Sequence, residues 1–565
     1  MDRCRGGPGR PSPRAVYHRA MPTEASRESY YVTTPIYYVN DRPHIGHCYT
    51  TILADVAARA ARLIGRETFF LTGTDEHAEK VSTRAAENGV SVREWADRNA
   101  AEFEKAFAAM GCSNDDFIRT SEDRHKTRAA AFIKKLMDHG DIELGDYEGW
   151  FDPSQEEYLT ETVARENDFK SPVSGRPLEK RVEQNYFFRL DKYEDRLLAA
   201  IENGDYRLLP EARRNEVLGR IKQGLQKVPV SRRIKDEESD EARAWGVKMP
   251  GDEGHRVYVW IEALLNYITA IDTEDRQTWW PASVHLLAKD ILWFHAVIWP
   301  AMLMALDKPL PGIVYAHAYY IAEGVKMSKS LGNFIEIDRL ETYAERYSVD
   351  ALRWFLTTQG PLGSTDADFA HARFIEVYNA DLANGIGNAT SRVGNMIAKY
   401  FDGQVPDHGG ELTGEGYDWP ALTRDAVDAA VRAHGDFALD EMLRAGLELS
   451  NKVDACIGET RPFSIAKGID KGTSADPEGD RKKLAAILYQ CAEALRIASL
   501  LLSPAMPNKM AELWASWSCA PGEAPLAELA EFAGPHGMKA GQSVAKGEAL
   551  FMRADVNEPA PGADA

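Results

Sequence analysis

The chain is poor in paired thiols. Its six cysteines (Cys4, Cys48, Cys112, Cys456, Cys491 and Cys519) are scattered, and no C-x-x-C pair occurs. That excludes a disulfide framework and a thiolate zinc centre, and it fits a reducing cytoplasmic compartment. Long apolar runs are also missing. The most apolar stretch, 291–306, contains His295 and Pro300 and is shorter than the roughly 18 residues a spanning helix needs, so it reads as a buried helix and no membrane is expected. No secretory signal is present. The first twenty residues are rich in Arg, Gly and Pro without a hydrophobic core; they read as a disordered tail or as a start upstream of Met21, with a transit peptide as the minor alternative. Positive charge is scarce too, with a net charge of −20, which excludes a general nucleic-acid coat protein. One basic island stands out: 207–235 holds nine Lys/Arg against only Glu211 and Glu216. It is either a contact for nucleic acid or a solvated face. No internal repeat is visible.

At 565 residues the chain is too long for one core, and its pattern divides it. Residues 30–34 read as a strand. Residues 51–64 carry apolar side chains at helical spacing (Ile52, Val56, Ala60, Leu63) and end at Gly65, and 68–72 is a buried strand. A strand, crossover helix and strand form a right-handed parallel unit with its ligands at the carboxyl ends of the strands. That places His44 and His47 in the same crevice as Asp75 and His77. The pattern resumes at 284–287 and again in "GIVYAHAYYIAEG". The expected fold is therefore α/β, a Rossmann-type parallel sheet split by an insertion over about 141–252. From about His371 onward the pattern is helical. On a helical wheel Leu382, Ile386, Ala389, Val393, Met396, Ile397 and Tyr400 form one stripe, with Asn388, Arg392 and Asn395 opposite. This predicts a C-terminal helical bundle, and a Pro/Gly/Ala-rich flexible tail after about Gly534.

Two short motifs carry chemistry. "HIGH", 44–47, sits where a strand gives way to a helix. A helix N-terminus favours phosphate through its free N–H groups and dipole. Two imidazoles one turn apart add donors, and Gly46 lets a nucleotide approach the backbone. "KMSKS", 326–330, follows the last strand, and Lys326 and Lys329 between Gly324 and Gly332 suit a leaving pyrophosphate.

With "TTPIYYVNDRPHIGH", "LTGTDEH", "YVWIEALLNYITA", "AKDILWFH", "AHAYYIAEGVKMSKSLGN" and "VDALRWFL", the chain resembles the class I aminoacyl-tRNA synthetases, specifically the methionyl-tRNA synthetases, over about 30–554. The resemblance implies ATP-dependent activation of L-methionine to methionyl-adenylate. The methionyl group then passes to the 3′-terminal adenosine of tRNA(Met), for initiation and elongation of translation. It implies that His44, His47, Lys326 and Lys329 stabilise the transferring phosphates, since phosphoryl transfer needs charge stabilisation more than an acid or base. The ATP site would also include Gly46, Ala288, Asp290, Met327 and Ser328, with Mg²⁺ arriving on ATP. The methionine slot would be lined by Ile36, Tyr38, Trp260, Ala263, Leu264, Tyr267, Ile291 and His295, with Asp75 on the α-ammonium group. One methylene is worth only ~1–3 kcal/mol in such a slot, so homocysteine is the expected mimic. The anticodon would meet Asn388, Arg392 and Phe463, the last standing where the family usually has tryptophan.

The resemblance also implies a domain order. An extension occupies 1–26, and the two halves of the catalytic fold occupy 27–140 and 253–322 around the insertion at 141–252. A KMSKS and stem-contact region follows at 323–375, then the anticodon-binding bundle at 376–533 and the tail at 534–565. Relatives often carry a zinc knuckle in the insertion. Here Asp152, Gln155, Ser171 and Ser174 hold those positions, and neither serine nor glutamine suits four-coordinate zinc. The expectation is the knuckle's shape without metal, and no metal site elsewhere. Milder departures are Glu262 where Asp is usual, and Ala78, Ala288 and Ala318 where Gly is usual; Ala288 is expected to crowd the ribose. No dimerising tRNA-binding module follows the bundle, so a monomer is expected. A class I synthetase for another amino acid, and a tRNA-binding paralogue without catalysis, are the rival readings; the pocket motifs argue against the first and the intact ATP motifs against the second.

Overall fold

The computed structural model describes residues 28–153, 157–159, 161–235, 238–327, 333–414, 416–545 and 548–561. The expectations for 1–26, Gln155, Ser328 and Lys329 lie outside these residues.

Six strands build the central sheet: β1 (Ser29–Tyr38), β2 (Glu67–Asp75), β3 (Asp116–Arg119), β4 (Arg207–Leu209), β5 (Val284–Ala288) and β6 (Ile313–His317). They lie in the order β3-β2-β1-β5-β6-β4, and every pairing is parallel. The chain runs outward from β1 in both directions, so the switch point falls between β1 and β5, where such sheets open a crevice at the carboxyl ends of their strands.

Helix α1 (Ile45–Ile64) crosses from β1 to β2 and is buried on nearly every side. Its run of alanines (Ala54, Ala57, Ala58, Ala60, Ala61) keeps it thin enough to lie between the sheet and the helices stacked behind it. Gly65 ends it in the left-handed region at φ 101°, which a side chain would resist. Behind it a single guanidinium joins three parts of the molecule. Arg353, on a helix spanning Val349–Gln359, is fully buried. It pairs with Asp55 of α1 at 2.6 Å and donates to the carbonyls of Met110 at 3.1 Å and Ala505 at 3.0 Å.

The helices used below are α2 (Asp123–Asp138), α3 (Val259–Leu264), α4 (Asn266–Thr269), α5 (Gly387–Tyr400), α6 (Leu439–Thr460), α7 (Pro462–Asp470) and α8 (Pro477–Leu502). The last four belong to the C-terminal bundle. The apolar stripe expected on α5 is buried at Ala389, Val393 and Ile397. The helix does not run unbroken from 382, because Gly385 departs from helical angles (φ −83°, ψ −111°) just before it. Among the described residues α8 alone is long and apolar enough to cross a membrane, and its apolar window is wholly buried in the bundle.

Two expectations need correcting. The insertion is not continuous over 141–252, because β4 returns to the catalytic sheet beside β6. The basic island lies around it and is largely neutralised: Arg207 pairs with Asp436, Arg213 with Glu216, Arg214 with Glu211, Lys222 with Glu202 and Lys227 with Glu143. It is a paired surface, not a free cationic patch. The second correction concerns the tail, which is anchored at intervals where it is described. Met538, Val544 and Phe551 are buried, Asn379 exchanges hydrogen bonds with Ala554 at 3.0 Å, and Glu558 accepts from the Tyr347 hydroxyl at 2.9 Å. A few apolar anchors, spaced among Pro, Gly and Ala, outweigh the composition around them.

In the insertion, strands Ile142–Asp152 and Glu179–Phe188 form a long antiparallel ladder. Ser171 is buried, and its hydroxyl accepts from the backbone N–H groups of Val173 at 3.2 Å and Ser174 at 3.0 Å. The Ser171 carbonyl accepts from the Gly175 N–H at 2.9 Å. A side-chain oxygen thus closes the tight turn locally.

Candidate active site

The switch point opens into one cavity of about 1140 Å³. One wall is the start of α1. His44 is the N-cap, and its Nδ1 accepts from the Gly46 N–H at 3.0 Å. His47 Nδ1 accepts from the His44 N–H at 3.3 Å. The two rings lie 3.8 Å apart. A neutral ring that accepts at Nδ1 carries its proton at Nε2, so both imidazoles present an N–H donor away from the helix.

This changes the expected role of the backbone. The Ile45 N–H donates to the Ile335 carbonyl at 2.9 Å and the Gly46 N–H is taken by His44, so the imidazoles replace the free N–H groups. The glycine has a different reason as well: a Cβ at position 46 would stand 2.9 Å from His44 Cε1, so the capping ring would have to shift.

The opposite wall is apolar and aromatic. Ile36 and Tyr38 come from β1, Trp260, Ala263 and Leu264 from α3, and Tyr267 from α4. Ile291 and His295 close it from the segment after β5. Trp260 stacks on Phe294 at 4.4 Å and meets Tyr38 edge-on. His295 Nδ1 donates to the Ile291 carbonyl at 3.0 Å, so its Nε2 accepts from the Tyr267 hydroxyl at 2.7 Å. Burial pushes the His295 ring down to about 4, against a smaller opposing effect of the Ile291 carbonyl. Burial also raises the Tyr267 phenol far above its ordinary value. The pair is held as a neutral hydrogen bond within the aromatic wall. Asp75, at the end of β2, lines the cavity between the two walls.

Ala288 and Asp290 line the cavity at the end of β5. Lys326 is exposed on the short strand Val325–Lys326 and does not line the cavity, and Met327 is partly buried against the core. All nine expected methionine-site residues thus meet in one space with His44, Gly46 and His47, whereas Lys326 stands outside it.

Three polar features escaped the sequence reading. His317, at the end of β6, lines the cavity and meets the Thr50 hydroxyl at 2.8 Å; burial pushes it down to about 4. The rule that used strand ends to find Asp75 could have found it. His285 on β5 bonds Thr33 at 2.7 Å and accepts from the Trp299 indole at 3.2 Å. Glu262 is buried between His77 and His125.

In the bundle, Asn388 and Arg392 share one partner: the carboxylate of Asp454 on α6 accepts from Asn388 Nδ2 at 3.3 Å and pairs with Arg392. Phe463, on α7, is 47% exposed. Among the described residues no group of three or more His, Cys, Asp or Glu is arranged to hold a metal ion.

The family model for class I tRNA synthetases (M) matches residues 30–167 and 164–394. The methionine–tRNA ligase of Bacillus subtilis (strain 168) is 41% identical over 510 residues, covering 87% of this chain and 73% of the relative. That of Streptomyces coelicolor is 39% identical over 539 residues, covering 93% of this chain and 97% of the relative. Among solved structures, Mycobacterium tuberculosis methionyl-tRNA synthetase in complex with methionyl-adenylate superposes with a TM-score of 0.81 at 33% identity, covering 93% of this chain and all of that one. The chain belongs to the class I tRNA synthetases and, within them, to the methionine–tRNA ligase family.

Proposed function

We propose that the cavity activates methionine with ATP and hands it to tRNA in the following division of labour. Methionine enters between Trp260, Tyr267 and His295, its thioether against aromatic faces and a neutral hydrogen bond. Asp75 takes the ammonium group and turns the carboxylate toward the α-phosphorus of ATP. As that bond forms and pyrophosphate leaves, the Nε2–H groups of His44 and His47 donate to the phosphate oxygens, where preorganised donors are worth most. Lys326 and Lys329 hold the departing pyrophosphate, which requires their loop to close toward the cavity. Mg²⁺ comes as part of the MgATP substrate. The 2′-hydroxyl of the terminal adenosine then attacks the methionyl carbonyl, and AMP leaves.

Selection of tRNA(Met) falls to the bundle. Arg392 and Asn388 exchange Asp454 for base edges, and Phe463 offers a ring for stacking. The hairpin holds no zinc: Ser171 spends its hydroxyl on two backbone donors, and a donor set of one carboxylate with serines does not suit the ion. The protein acts as a monomer in the cytoplasm.

The observation that carries this reading is the single cavity with an uncharged aromatic wall facing the paired imidazoles. Charging unfractionated tRNA with labelled methionine tests it. Label should appear on tRNA(Met) alone and be lost when the 3′-terminal ribose is oxidised beforehand. Label on other tRNAs, or none, would overturn it.

A further inference from the structure

Four residues of the apolar wall, Trp260, Ala263, Leu264 and Tyr267, ride on α3 and α4, two short helices broken at Leu265. Helices of one or two turns have little rigidity of their own, so their placement depends on what grips the face turned away from the cavity. Glu262 is at the centre of that grip. Its carboxylate is fully buried. His77 Nδ1, from the loop after β2, donates to Oε1 at 2.7 Å, and His125 Nε2, from α2, donates to Oε2 at 2.9 Å. His125 Nδ1 in turn meets the Thr269 hydroxyl on α4 at 2.8 Å, and Arg128 donates to the Thr269 carbonyl at 2.7 Å.

His77 lies two residues beyond Asp75. One carboxylate therefore ties the loop that follows Asp75 at the end of β2 to the helices that carry the aromatic wall. No residue of α1 and none of 288–290 takes part in these bonds.

We propose that Glu262 is a positioning residue for methionine recognition: through His77 and His125 it fixes the spacing between Asp75 and the Trp260–Tyr267 wall, and so sets the side-chain length the cavity accepts. This rests on the roles given above to Asp75 and the aromatic wall. The carboxylate suits the task because burial, which alone would raise it, is outweighed by the two imidazoles, which hold it below the ordinary carboxylate range. As a carboxylate it can accept from both rings at once. Glutamine would face one ring N–H with an amide N–H. Aspartate, the residue usual here in the family it resembles, is one methylene shorter, and between this chain's His77 and His125 it would reach one imidazole and leave the other unmet.

The test is ATP–pyrophosphate exchange by wild type, Glu262→Gln and Glu262→Asp, with KM measured separately for methionine and ATP and with homocysteine as competitor. For Glu262→Gln the expected result is a KM for methionine raised about tenfold or more, a KM for ATP within about twofold, and poorer discrimination against homocysteine. Glu262→Asp should show the same pattern at about threefold. If the glutamine variant does not fold, the aspartate variant decides alone. Equal rises in both KM values, or unchanged values beside a lowered melting temperature, would overturn the proposal and leave Glu262 a purely structural residue. Wild type that exchanges with an amino acid other than methionine would contradict the methionine reading itself, a different failure visible in the same experiment.

Discussion

The two ends of the cavity are built on different principles. The methionine end is fixed by side chains that bond one another across the sheet: Tyr267 to His295, Glu262 to His77 and His125, Trp260 on Phe294. Its specificity is prepaid in folding. The phosphate end is held by the backbone of a helix start, which aims His44 and His47 by capping, while Lys326 stays exposed outside the cavity. One end is held by side chains that bond one another, and the other by the capping of a helix start. Selection and chemistry should therefore separate under mutation.

The largest separation should come from His47→Ala. Exchange turnover should fall by about 10²–10³, while the KM for methionine stays within about twofold. A large rise in that KM would join the two ends that the geometry keeps apart. Next is Tyr267→Phe, which removes the donor to His295 and leaves a buried acceptor unmet, at about 1–3 kcal/mol. That predicts a KM for methionine raised about tenfold or more with the KM for ATP unmoved, read in the same exchange assay.

The third prediction is a pH dependence in which binding and stability diverge. His295 is held near 4 against an ordinary 6.5, so it stays neutral in the fold and the KM for methionine should be flat from pH 8 to about 5.5. Stability should not be flat. His295, His317 and His434 all sit near 4, so between 6.5 and 4 the unfolded chain binds more protons than the folded one, and stability falls as pH is lowered through that window. The depressed Glu262 carboxyl adds a further loss as pH falls below its ordinary 4.5. Thermal melts across the range check this, and a methionine KM that rose in step with the melting temperature's fall would refute the rigid-wall account. The smallest expected effect is none: a zinc-selective chelator, with Mg²⁺ in excess, should leave the melting temperature and the exchange rate unchanged. A shift would place a metal in the hairpin after all.

Much of this was legible in the sequence, for a reason that also sets its limits. The strand ends and helix start around His44, His47 and Asp75 are local patterns, and the apolar wall follows motifs that are contiguous in the chain. What escaped was settled by distant partners. Glu262 meets residues 185 and 137 positions away, so nothing near it in the sequence announces the bridge. The strand at Arg207–Leu209 is three residues long and carries no period of its own; only its pairing with β6 makes it a strand. The tail reads as disordered by composition because its anchors, Val544 and Phe551, are few and far apart. The capping of α1 by an imidazole was invisible because histidine is not among the residues that usually cap.

The central claim is that an uncharged aromatic slot and a pair of aimed imidazoles make one methionine-activating site. It is tested most directly by ATP–pyrophosphate exchange with the purified protein, offering each standard amino acid in turn. Exchange with methionine alone is the predicted result. Exchange driven equally well by another amino acid, or by none, would contradict it.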